Sequence, residues 1–206
     1  MSLKWLPNTV TALRCVFAII VGYAILRMDG DMRAAREAGF WAFVPFILFA
    51  VTALTDWVDG MLARSLNAES QFGARLDPIA DKLLTASSLL ALAHIEGWAW
   101  YMMLPAIIII GRDFLLTAMR EALGNPTTLK VSMAAKWKTT IVLTAIGLTL
   151  FAMAFSQFVY DAERMSLLWI ASRGPLILGL LGIWVAAVLS VITAIDYVSA
   201  AGKDAG

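Results

Sequence analysis

The apolar residues of this chain fall into six runs, at about 9–27, 41–62, 78–95, 98–121, 134–155 and 174–200. An apolar membrane segment needs about 20 residues, so each run reads as a transmembrane helix. Short polar segments separate them, at 27–39, 64–77, 94–97, 121–133 and 157–173. Pro7-Asn8 ahead of the first run and Gly174-Pro175 at the sixth predict helix starts. No internal repeat, low-complexity stretch or linker interrupts the pattern. It predicts an all-α, polytopic membrane protein with six transmembrane helices in a single domain over residues 1–206.

Composition sharpens the picture. With 61% hydrophobic residues, 15% charged residues and a mean hydropathy of +0.79, a soluble globular domain is excluded. The net charge is +1 and the basic residues form no dense run, which argues against a nucleic-acid partner. The single cysteine, Cys15, lies in an apolar run and reads as a small packing residue; it allows neither a disulfide framework nor a Cys-based zinc site. With His94 the only histidine, any metal must be held by oxygen. Lys4 and Arg14 flank or enter the first apolar run, which has no small-residue cleavage site at a suitable distance, so this segment is expected to be a retained helix.

An even number of spans puts both termini on one side. On that side, or in the half-helices facing it, lie Lys4, Arg14, Arg64, Arg75, Lys82, Arg112, Arg120, Lys130, Lys136, Lys138 and Lys203, which are 11 of the 16 basic residues. Cationic loops stay in the cytosol, so both termini are expected there. Trp5, Trp41, Trp98, Trp100 and Trp169 fall near the predicted interfaces and read as anchoring belts.

Ionisable groups in or beside membrane spans are costly and are therefore functional candidates. Four aspartates gather around one cytosolic turn. At about 100° per residue, Asp56, Asp59, Gly60, Ala63 and Arg64 fall within an arc of about 140° on one helix face. Asp77 and Asp81, one turn apart, share a face of the next helix if it begins near Pro78. The short connection is expected to pack these two helices antiparallel, bringing the acidic pairs together. Four carboxylates so close repel one another in a poorly solvated site, and one or two divalent cations resolve this. Oxygen-only ligation suits Mg²⁺ or Mn²⁺, ions commonly shared with a diphosphate substrate. Gly60 and Gly73 allow close approach of a ligand, and Arg64 is placed to hold phosphate oxygens. A purely structural contact of Arg64 and Arg75 with these acids leaves two of them uncompensated and explains neither glycine.

The pattern Asp56-x2-Asp59-Gly60-x2-Ala63-Arg64-x8-Gly73-x3-Asp77-x3-Asp81 resembles, at every fixed position, the signature of the CDP-alcohol phosphotransferases. The similarity continues through Asn8, Thr11 and Arg14 and through the segments 55–60, 72–82, 111–121 and 135–140, covering roughly residues 5–145. Within the family these stretches are similar to members that use glycerol 3-phosphate; such members often carry Arg-Glu where this chain has Arg112-Asp113, a conservative departure.

The resemblance implies the family fold of six transmembrane helices, usually in a homodimer, with a cytosol-facing site in a bacterial inner membrane. It further implies transfer of a phosphatidyl group from CDP-diacylglycerol to sn-glycerol 3-phosphate, with release of CMP, at the interface where a membrane-lipid donor meets a soluble acceptor. Asp56, Asp59, Asp77 and Asp81 are expected to hold two metal ions, with Asp81 as the general base. Asn8, Thr11, Gly60, Ala63, Arg64 and Gly73 are expected to line the CDP pocket. For the acceptor phosphate the candidates are Arg112, Arg120, Lys136 and Lys138. Arg112 is too deep for easy snorkelling, and its alternative role is an ion pair with an acid on a neighbouring helix. Lys136 and Lys138 project about 200° apart, so one faces inward and the other the headgroups, in either assignment. Asp113 neighbours Arg112 but points elsewhere on the helix, and its role is left open. Inositol phosphate, serine or a phosphatidyl lipid are the alternative acceptors within the family. A divalent-cation transporter also places carboxylates in helices, but needs them deep on several spans rather than around one turn.

Overall fold

A computed structural model of the protein describes the backbone over residues 6–34, 39–66, 71–122, 133–157, 159 and 166–204; side chains are described over 13–28, 40–55, 82–119, 137–157, 159 and 166–199. The six apolar runs appear as six helices in the expected order: α1 Leu6–Ala34, α2 Val44–Leu66 after a short 3-10 turn at Gly39–Phe43, α3 Gln71–Ile95, α4 Trp100–Ala122, α5 Met133–Ser156 and α6 Leu167–Asp204. Among the described residues, Trp100–Met119, Trp137–Ser156 and Leu167–Ser199 are long and apolar enough to cross a membrane, and Phe40–Thr55 and Lys82–Ile95 are shorter apolar stretches.

Two predicted helix starts are corrected. The sixth helix begins seven residues before Gly174 and runs through Pro175. Its start signal is Ser166, whose hydroxyl oxygen accepts the Trp169 backbone N–H at 3.2 Å as an N-cap. Likewise α3 begins at Gln71 and runs through Pro78. The α3–α4 turn closes as a Schellman motif: Trp98 N–H bonds the Ala93 carbonyl at 2.7 Å, Gly97 N–H bonds that of His94 at 2.9 Å, and Gly97 takes a φ of 64° that glycine adopts freely.

Apolar side chains fill both the interior of the bundle and its outer face. On α1, Ala18, Val21 and Ile25 are fully buried while Ile19 is 60% exposed; on α6, Ile183 and Ala186 are buried while Ile195 is 63% exposed. Lipid is as apolar as leucine, so helices associate here through close fit and hydrogen bonds between them. Thus α5 lies along α6, where a Cβ at Gly179 would collide with Thr149 Oγ1 and one at Gly182 would sit 2.8 Å from the Ala145 Cβ. The Ser87 hydroxyl ties α3 to α1 by donating to the Ala18 carbonyl at 2.7 Å. The short α2–α3 connection was expected to make these two helices close partners; they touch, but among the described residues α3 packs chiefly along α1, where Gly22 admits the Ser87 Cβ.

Pro105 lies inside α4. Lacking an N–H, it leaves the Tyr101 carbonyl one turn back without its helical donor. Trp184 of α6 supplies one, its indole Nε1 donating to that oxygen at 3.0 Å. Trp184→Phe is therefore expected to cost about 1–3 kcal/mol, read as a lower thermal midpoint in detergent. In a Pro105→Ala background, which restores the backbone donor, the same change is expected to cost clearly less.

Candidate active site

The C-terminal half of α4 carries Arg112 and Asp113, the first turns of α5 carry Lys136 and Lys138, and α6 passes both with Thr193. Lys138 is buried at 3% exposure and faces inward. Its ammonium lies 2.6 Å from Asp113 Oδ1 and 2.7 Å from Oδ2. Arg112 Nη1 donates to the same Oδ1 at 3.0 Å. Arg112 Nη2 donates to Thr193 Oγ1 at 2.8 Å, and the Thr193 hydroxyl donates in turn to the Leu189 carbonyl at 2.7 Å.

Asp113, whose role the sequence leaves open and whose side chain is expected to point elsewhere on the helix, meets Arg112 after all. Adjacent helical positions diverge by about 100°, but the guanidinium on its long stem folds back to the neighbouring carboxylate. The result is one carboxylate between two cations from two helices, with the side chains of Arg112, Asp113 and Lys138 only 15%, 13% and 4% exposed. Arg112 Nε is also buried and has no hydrogen-bond partner among the described residues.

This cluster sits level with the acidic stripe. Phe46 packs against Phe151, and Phe49 approaches Gly147, so α2 and α5 run antiparallel. Along the helix axes, Asp56 is about 10 Å beyond Phe49 and Lys138 about 13 Å from Gly147, towards the same end.

Asn8 and Thr11 lie on α1, Asp56, Asp59, Gly60, Ala63 and Arg64 on α2, Gly73, Asp77 and Asp81 on α3, Arg120 on α4 and Lys136 on α5; their side chains lie outside the described residues. Within helical α2 and α3 the acids keep the i,i+3 and i,i+4 spacings that place each pair on one face. Arg14 on α1 is buried. Thr193 is the site residue that sequence reasoning missed.

A family model for CDP-alcohol phosphatidyltransferase matches residues 4–192. The chain is 33% identical to the CDP-diacylglycerol–glycerol-3-phosphate 3-phosphatidyltransferase of Cereibacter sphaeroides over 219 aligned positions, 95% of each chain. It is 35% identical to the Escherichia coli K12 protein of the same name, covering 79% of this chain and 80% of that one, and 32% identical to the Haemophilus influenzae counterpart over 77% of each. The chain belongs to the CDP-alcohol phosphatidyltransferase family.

Proposed function

We propose that this family member transfers the phosphatidyl group of CDP-diacylglycerol to the primary hydroxyl of sn-glycerol 3-phosphate, releasing CMP. The observation that carries the reading is identity along nearly the full length of a relative bearing that activity in its name. The cation pair Arg112–Lys138, buried and level with the acidic stripe, supports an acceptor that brings a phosphate of its own.

In the reaction, the acceptor oxygen attacks the phosphatidyl phosphorus, the bond from that phosphorus to the CMP oxygen breaks, and the hydroxyl proton passes to Asp81. Asp56, Asp59 and Asp77 together with Asp81 form an oxygen-only donor set on α2 and α3, which fits a hard divalent cation and would hold two Mg²⁺ or Mn²⁺ ions. Such ions supply charge neutralisation on the diphosphate. Gly60, Ala63, Arg64 and Gly73, with Asn8 and Thr11, take the CDP moiety, while Arg112 and Lys138, aided by Arg120 and Lys136, take the acceptor phosphate. The protein works as a six-span homodimer in a bacterial inner membrane, with termini and site in the cytosol. Incubating purified protein with CDP-diacylglycerol, Mg²⁺ and each of glycerol 3-phosphate, glycerol, inositol phosphate and serine tests the assignment. CMP release is expected with glycerol 3-phosphate, and preference for another acceptor overturns it.

A further inference from the structure

We propose that Asp113 is a positioning residue of the acceptor-phosphate pocket: its carboxylate fixes Lys138 of α5 and Arg112 of α4 as one preformed anion-binding pair, with Thr193 of α6 anchoring the guanidinium. The inference rests on the reading that the acceptor carries a phosphate.

Two buried cations without a shared counter-charge repel each other and each bears the cost of lost hydration. Asp113 removes that conflict, since Lys138 Nζ is centred on both carboxylate oxygens at 2.6 and 2.7 Å while Arg112 Nη1 takes Oδ1 at 3.0 Å. Asp113 offsets one of the two positive charges it bridges, so these three groups together still favour an anion. Arg112 is held at its second terminal nitrogen by Thr193, whose own proton is committed to the Leu189 carbonyl, so a lone pair faces the guanidinium. A guanidinium has five coplanar N–H donors. With both terminal nitrogens tethered, the direction of the others is set, and the buried Nε–H has no acceptor among the described residues. A buried donor on a charged group is costly to leave unmade, and an incoming phosphate oxygen satisfies it.

The opposite idea treats Asp113 as a rival anion that the phosphate must displace; removing it would then tighten acceptor binding. The two ideas differ in sign. Positioning dominates because the pair, once stripped of its common carboxylate, separates before the substrate arrives and must be reassembled on binding.

The test uses the full chain in detergent, with Asp113→Asn (shape kept, charge lost), Asp113→Glu (charge kept) and Thr193→Val. Asp113→Asn is expected to raise KM for glycerol 3-phosphate, and the inhibition constant of inorganic phosphate, by about tenfold or more. KM for CDP-diacylglycerol should move less than about twofold. Asp113→Glu should recover most of the loss, and Thr193→Val should weaken the same two constants about threefold to tenfold. Unchanged or improved acceptor constants in Asp113→Asn overturn the proposal, as does an equal rise in KM for both substrates. Should Asp113→Asn fail to fold, unchanged constants in both other variants overturn it. Wild-type protein that ignores glycerol 3-phosphate, yet binds inorganic phosphate in an Asp113-dependent manner, overturns the assigned acceptor and upholds the positioning role.

Discussion

Asp81→Asn is expected to lower CMP release by about two to four orders of magnitude while leaving Mg²⁺-dependent binding of CDP-diacylglycerol in place. The amide keeps the shape of the side chain and one oxygen for coordination, but it does not accept the proton that the attacking hydroxyl must lose. Asp81 stands one turn beyond Asp77 on the uninterrupted helix α3, which places it on the same face as that acid. The checks are initial rates of CMP release and a CDP-diacylglycerol titration followed by thermal shift with and without Mg²⁺. Near-normal turnover removes Asp81 from the role of base. Loss of lipid binding along with turnover assigns it to metal holding instead.

The number and order of the helices were legible because each apolar run is bounded by charged or polar segments, and a backbone in lipid must satisfy its hydrogen bonds within the helix. Their starts were less so. Gly174-Pro175 looks like a beginning, yet a proline removes only one intrahelical bond and clashes locally, a cost that a long, well-packed helix tolerates; Ser166 does the capping instead. One pairing was not legible: among the described residues α3 packs along α1, where Gly22 faces Ser87, a contact between helices remote in sequence.

The site divides in the same way. Arg112 stood out because a guanidinium that deep demands a reason, and the structure supplies it a carboxylate and a hydroxyl. The role of Asp113 stayed open because helical geometry describes where Cβ atoms point and not how far a long side chain can turn back. Thr193 carried no signal, since hydroxyls in membrane helices commonly bond their own backbone, as this one does with Leu189. What changes its meaning is the approach of Arg112 from another helix, 81 residues away in sequence.

Arg112 is held by Asp113 of its own helix and by Thr193 of α6, which makes its removal informative. If Arg112 binds the acceptor phosphate, Arg112→Ala raises KM for glycerol 3-phosphate about tenfold or more, because a charge-assisted contact in a partly dehydrated pocket contributes roughly 1.5–3 kcal/mol. KM for CDP-diacylglycerol stays nearly constant, so the two substrates separate. The fold is expected to survive, because Asp113 keeps Lys138 as its partner at 2.6 Å and no buried carboxylate is left without a counter-charge. Glycerol, which lacks the phosphate, is a poor acceptor for the native protein and should be little worse for the variant. Steady-state CMP release with each substrate varied in turn decides the matter. Equal weakening of both substrates, or loss of the folded protein in size-exclusion chromatography, makes Arg112 a structural member of the Asp113 cluster and leaves the acceptor assignment resting on the family relatives alone.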